Sequence, residues 1–289
     1  MTTTATAREG GRTQPVKSKN KEHPGSSRRA DNRQRSIRRV LIPTGTTLTL
    51  LVLWEVLTRS GVLPAEVSQP TTIFAWLWGQ VGEPFLWQSI GHTLQHAAVG
   101  LVIGSAIGIV LGLALGEILI LRRLLQGTLE FLRPVPVIVY LPLLILLFGA
   151  VAKTAITLVA VAVVWPMLYQ TMYGVRAVDP QLIDASRMFG LTARQRMKSI
   201  TLPTIAPFLA TGLRIAMSLA LVVSVAIELI AGVPGLGWTL TQYQTAGNYP
   251  AVYGVIMIAG ALSLILNQLL VRGERRMLHW HVSYRGITK

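Results

Sequence analysis

Six stretches of the chain are apolar over most of a bilayer's width: residues 40–58, 93–116, 134–149, 154–174, 206–231 and 251–271. None shows a polar face at the 3.6-residue period of a soluble helix packed on a core. Each approaches the roughly twenty residues needed to cross a hydrocarbon layer. The pattern predicts an all-α membrane protein with six transmembrane helices. The third stretch is the shortest, carries Pro136 and Pro142, and meets the fourth after only Ala150 to Lys153. A kinked or partly re-entrant segment is expected there, tolerated where protein or a water-filled cavity covers the backbone.

Composition supports lipid as the solvent: of 289 residues 51% are hydrophobic and 13% charged, and the mean hydropathy is +0.51. The formal charge of +15 does not point to nucleic acid, because the basic residues sit between apolar stretches rather than on one element interleaved with aromatics. Eleven Lys/Arg precede residue 40, three lie in 117–133 (Arg122, Arg123, Arg133), five in 175–205 and five after 271. The opposite side holds only Arg59 and Lys153, and Arg214 lies inside a stretch. Lys and Arg are retained on the cytoplasmic side during insertion, so both termini are predicted to be cytoplasmic in a multi-pass protein of the cytoplasmic membrane.

Residues 1–39 read as a disordered basic tail touching anionic lipid, residues 40–272 as the membrane domain, and 273–289 as a C-terminal cytoplasmic tail. A cleaved signal peptide is not expected, because the first apolar run starts only at Val40 and has no small-residue cleavage site. Trp76, Trp78 and Trp87 fall in the outer segment 59–92, where an amphipathic element can lie in the interface. Cysteine is absent, and of the five His only His92 and His96 have helical spacing, with no third ligand nearby. No metal site or cofactor is expected on this chain.

The second stretch carries Gly100, Gly104, Gly108, Gly112 and Gly116, a ridge without side chains that another helix must approach closely. The ridge serves either static packing or sliding during function. Ionisable residues at membrane depth each need a partner or water. Arg214, about two turns into the fifth stretch, either faces a central path or pairs with a carboxylate on a neighbouring helix. Glu228 precedes the turn 232–237 and reads as a cap or gate, whereas Glu55 lies near the outer interface.

The loop between the fourth and fifth stretches carries the strongest local signals. Asp179 can cap a helix with Pro180 at its first position, and Gly190 suits the left-handed turn that ends one. Thr192 can cap a second short helix, with Gln195 completing a capping box, and Pro203 is expected to let the chain turn into the fifth stretch. A helix, a glycine turn and a helix make a rigid protrusion suited to pushing on a partner.

Here the chain resembles the inner-membrane permeases of ATP-binding-cassette (ABC) importers. Their signature is Glu-Ala-Ala, three residues, Gly, nine residues, Ile, one residue, Leu-Pro. Asp184, Ala185, Ser186, Gly190, Ile200, Leu202 and Pro203 fit it without a gap, with Asp for Glu and Ser for the second Ala. The resemblance covers about residues 40–285. It narrows to the nitrate, taurine and sulfonate branch through Leu63-Pro64 to Pro70, Arg133-Pro134-Val135-Pro136 with Tyr140-Leu141-Pro142-Leu143, Gly212 to Ile215, and Glu228 to Ala231 followed by Gly235-Leu236-Gly237. Some relatives of that branch carry vitamin precursors or aromatic acids, so the cargo stays open.

The resemblance implies a non-catalytic subunit whose 179–203 loop couples to a separate ATPase. ATP and Mg would be bound by two such partner subunits; no G-x-x-x-x-G-K-[ST] phosphate loop occurs in this sequence. It also implies a second permease copy and an extracytoplasmic solute-binding protein. Arg133, Tyr140, Arg214 and Glu228 become candidates for the translocation path or a gate. The rival reading is a secondary transporter driven by an ion gradient, which should show inverted repeats with matched broken helices, and the two halves share none.

Overall fold

Glycine decides which helices lie closest. The computed structural model describes residues 25–277, with side chains from 42 to 276. Eleven α-helices follow in order: α1 (Gly25–Arg59), α2 (Pro70–Gln80), α3 (Pro84–Glu117), α4 (Leu119–Leu132), α5 (Leu141–Phe148), α6 (Ala152–Arg176), α7 (Pro180–Met188), α8 (Ala193–Arg196), α9 (Leu202–Ala231), α10 (Leu236–Thr245) and α11 (Tyr249–Met277). No strand occurs among the described residues. The described residues divide into two compact units between Val56 and Leu57.

In the first unit α1 begins at Gly25, so residues 25–39 of the expected tail are helical, while residues 1–24 lie outside the described residues. Thr46, Thr47 and Thr49 donate their hydroxyls to carbonyls four residues back at 2.9 Å, which satisfies polar groups within an apolar helix.

The core of the second unit is α3, α6 and α9. A Cβ placed on any of the five ridge glycines of α3 would lie 2.4–2.7 Å from an atom of α6: Val159 Cγ1, the Ala160 carbonyl, Met167 Cβ, the Leu168 carbonyl and Val175 Cβ in turn. The ridge is therefore packed against α6 along its length within one chain. Gly174 and Gly212 let α6 and α9 meet, each with a Cβ position 3.0 Å from the other helix. Leu158, Val159, Val163, Ala216, Ala220 and Ile227 fill the space between. At the end away from the α7–α8 loop, α2 lies on α11: Trp76 covers Gly254, where a Cβ would come within 2.2 Å of the indole, and meets Tyr243 edge-on at 5.5 Å. Trp78 stays 85% exposed.

Three expected boundaries change. The segment 117–133 is mostly the helix α4, not a loop. Its apolar Leu121 and Leu129 pack on Leu115, Leu168 and Met172. The stretch 134–149 contributes only a 3-10 turn, Val137–Tyr140, and the eight residues of α5, bent 88° from α4. Pro134 and Pro136 supply no backbone N–H across the bend, and α5 rises only about 12 Å. Finally, α11 runs on to Met277, so residues 273–277 of the expected tail continue the helix. Four helices among the described residues are long and apolar enough to span a membrane, or five if the bent pair counts as one.

Candidate functional site

The α7–α8 loop is built as its sequence dictates. Asp179 Oδ1 accepts from Gln181 N at 2.8 Å and Pro180 opens α7. The helix ends in a Schellman motif: Gly190 has φ +74°, its N–H reaches the Arg187 carbonyl at 2.9 Å, and Leu191 N–H reaches the Ser186 carbonyl at 3.0 Å. Thr192 and Gln195 form the capping box of α8. Arg196 then donates to the Leu191 carbonyl at 2.8 Å, tying α8 to the glycine turn.

Pro203 does not turn the chain. From α8 a π-helical stretch, Met197–Thr201, leads straight into α9, making one helix of 39 residues from Ala193 to Ala231. The physical reason is position: Pro203 falls in the first turn of α9, and the π stretch accommodates its missing N–H.

Among the signature residues only Ser186 is buried; its hydroxyl donates to the Ile183 carbonyl at 2.6 Å. Ala185 and Ile200 are half-buried, and Leu202 and Pro203 are exposed. Asp184 pairs with Arg187 at 3.2 Å on the surface, a weak interaction. The sequence reading missed the loop's most exposed apolar side chains, Leu182 (54%), Met188 (89%) and Phe189 (83%). Their signal was legible as apolar residues flanking a glycine turn in an otherwise polar loop. Behind the loop a cleft of about 540 Å³ opens between Gly116 and Glu117 at the end of α3, Val175 of α6, and Ile183, Arg187 and Met197.

The other candidates do not gather at one point. Arg214, on α9, pairs with Glu274 of α11, which is 5% exposed; this is the carboxylate partner weighed in the sequence. Glu274 itself fell in the expected tail and was overlooked. Arg133 lies over the Tyr169 ring at 4.8 Å, while Tyr140 packs half-buried against the main core.

Glu228 is fully buried at the far end of α9. Its Oε2 accepts from Thr93 Oγ1 at 2.7 Å and from Gly237 N at 3.1 Å, and its Oε1 lies 2.9 Å from His96 Nδ1. Leu236 N donates to Thr93 Oγ1 at 2.9 Å, and Ser89 and Thr239 join their hydroxyls at 2.8 Å beside it. The carboxylate therefore caps the N-terminus of α10, where a negative charge is favoured, and fastens α9 to α3 and α10. Gly235 and Gly237 are required for this: a Cβ on either would stand 2.2 Å from Glu228 Cδ or from the Val225 carbonyl. His92 stacks on His96 with centroids 6.4 Å apart. No group of three metal-binding side chains occurs among the described residues.

Residues 104–279 match the family described as binding-protein-dependent transport system inner membrane component. The taurine transport system permease protein TauC of Escherichia coli K12 is 31% identical over 88% of this chain and 95% of its own length. The nitrate import permease protein NrtB of Leptolyngbya laminosa is 27% identical over 82% of this chain and 87% of its own. The fold is shared with a chain of the MetNI methionine ABC transporter, with a TM-score of 0.58 at 22% identity over 69% of this chain and 98% of that one. The chain belongs to the family of inner membrane permease components of binding-protein-dependent ABC importers.

Proposed function

We propose that this permease carries a small oxyanion-bearing solute such as a sulfonate or nitrate inward, driven by two copies of a separate ATPase that grip the 179–203 loop. In this reading α1 and the segment 134–149, which follows the interfacial α4, complete six spans with both termini cytoplasmic. A second permease copy forms the other half of the path, and an extracytoplasmic binding protein delivers the solute. The observation that carries the proposal is the unbroken helix from Ala193 to Ala231. At 1.5 Å per residue it spans about 58 Å, so a displacement imposed on α8 passes along one helix, through its π stretch and Pro207, to Arg214. The capping box and the Arg196 bond keep α7, the turn and α8 moving together. Leu182, Met188 and Phe189 supply apolar surface for the ATPase groove, each worth about 1.5–3 kcal/mol when fully buried. The cargo class is supported by the taurine and nitrate named for the two relatives, since both present oxyanion groups.

Co-purification from mild detergent tests the coupling. Wild type should bring down a phosphate-loop ATPase that Gly190→Arg loses. Space around Gly190 is open, with no atom within 4 Å of an added Cβ, so the arginine projects outward rather than into the fold. Absence of an ATPase with folded wild type would remove the coupling reading. Uptake of labelled taurine and nitrate into cells expressing the chain with its partners tests the cargo.

A further inference from the structure

Between α4 and α6, at the same end of the bundle as the coupling loop, a second cleft of about 430 Å³ is lined by Arg122, Arg123, Arg133 and Arg176 together with Glu130, Tyr169 and Tyr173. Four cations face one carboxylate, and that carboxylate accepts from Gln126 at 2.8 Å. Among the described residues Arg122, Arg123 and Arg176 make no ion pair, and Arg133 is held over the Tyr169 ring. The Tyr169 hydroxyl, also at this cleft, is buried and has no hydrogen-bond partner. A buried donor without an acceptor costs about 1–3 kcal/mol, and guanidinium groups favour tetrahedral oxyanions, so both features call for the same ligand chemistry.

We infer that this cleft is an oxyanion site that takes the phosphate headgroup of an anionic phospholipid from the inner leaflet. The helix that forms its wall argues for a lipid. At 100° per residue, Ile120, Leu124 and Phe131 fall within about 40° of one another on α4, opposite Arg122, Gln126 and Arg133, with Arg123 and Glu130 on the flank between. The three apolar side chains are 72%, 73% and 76% exposed. A helix so divided lies in the interface with its apolar face against acyl chains and its cationic face at headgroup level. On α6, Tyr169, Met172, Tyr173 and Arg176 share one face by their i, i+3, i+4, i+7 spacing and complete the opposite wall. A free imported oxyanion has the same headgroup chemistry without the acyl chains. The inference rests on the proposed function only for the name of the leaflet.

The test uses the full chain in nanodiscs, with bound lipid counted by native mass spectrometry after titration with phosphatidylglycerol or phosphatidylcholine. Wild type should prefer phosphatidylglycerol at least tenfold. Arg122→Gln/Arg176→Gln should lose about thirtyfold in that affinity, at roughly fivefold per arginine near an anionic headgroup. Tyr169→Phe, which removes only the hydroxyl, should lose several-fold while unfolding no earlier than wild type. Arg194→Gln/Lys198→Gln removes the same charge from the α8 region and should leave the preference intact. An equal loss in that control, or no preference for phosphatidylglycerol in wild type, overturns the site. Displacement of the lipid by millimolar inorganic phosphate or taurine keeps the oxyanion site but assigns it to a free anion. No ATPase takes part in the measurement, so failure here leaves the coupling reading untouched, and the converse holds.

Discussion

Gly104→Ala is the sharpest perturbation of the α3–α6 contact. The new methyl carbon would sit 2.4 Å from the Ala160 carbonyl oxygen and 2.8 and 2.9 Å from Val163 Cβ and Cγ1. Ordinary carbon–oxygen contact is about 3.3 Å, so α6 has to withdraw by roughly 0.9 Å. It cannot do so locally, because the Gly100, Gly108, Gly112 and Gly116 contacts hold the same two helices together along the ridge. A gap of 0.5–1 Å forfeits about a quarter to a half of each dispersion contact there. Overpacking on this scale costs about 1–3 kcal/mol, set against up to about 1 kcal/mol gained from replacing a helical glycine. Gly91→Ala, in the same helix but with nothing within 4 Å of the added Cβ, keeps the gain and avoids the clash. Because the gain is common to both, the two variants should differ by the overpacking cost, about 1–3 kcal/mol, or roughly 2–12 °C in unfolding midpoint for a chain of this size. Tryptophan fluorescence during heating in one detergent reads the difference. Midpoints within about 2 °C of each other would refute the close-packed ridge.

The polar sites give further tests. Glu228→Ala leaves Thr93, His96 and Gly237 N without their buried acceptor and should cost about 3–5 kcal/mol, with Glu228→Gln milder; equal midpoints for both and wild type would exclude the cap. Arg214→Ala strands the buried Glu274 carboxylate. Because the arginine is 44% exposed, the expected cost is only about 1–2 kcal/mol, and Arg214→Ala/Glu274→Gln should recover part of it. Failure of the double variant to recover stability would mean that the pair carries no coupling. Gly190→Ala meets no atom but holds alanine at φ +74°, so it should cost about 1 kcal/mol while keeping ATPase co-purification, in contrast to Gly190→Arg. Loss of the ATPase in the alanine variant would show that the turn, not the surface beyond it, sets binding.

What could be read from the chain depended on whether the determinant was local. The Asp179 cap, the Gly190 turn and the Thr192–Gln195 box are fixed by residues within five positions of one another, and all three stand as the sequence predicts. The glycine ridge was also legible, because a repeat of four places every member on one helical face; its partner helix was not. Glu228 shows where reading stops. Its ligands Thr93 and His96 lie 135 and 132 residues away, and no spacing rule links them, although polar residues in two apolar stretches were a hint that they meet. The 134–149 stretch misled for another reason. Its prolines point to the kink that the structure shows, but hydropathy counts apolar residues whether or not the backbone is straight, so neither the 88° angle nor the helical α4 before it could be read from the chain. Glu274 was hidden by a charge rule that assigns basic ends to tails, although α11 continues past Arg272.

Placing both of the deep ionisable residues of α9 on one continuous helix constrains how a moving loop can change access. Arg214 and Glu228 are fourteen residues apart, about 21 Å along the axis, and each is tied to a different neighbour: Glu274 on α11, and Thr93 and His96 on α3. The ties differ in strength by their surroundings. The Glu228 carboxylate has three hydrogen-bonding contacts in a fully buried site, whereas Arg214 is almost half exposed and Glu274 Oε1 has no partner. When α8 is pushed, the weaker tie should yield first, so α9 would pivot about its Glu228 end and swing at its Arg214 end. That ordering predicts a cross-link result: a disulfide engineered between α9 and α11 near Arg214–Glu274 should block transport, whereas one between α9 and α10 beside Glu228 should leave it largely intact. Block by the second and not the first would place the moving element at the opposite end of the helix.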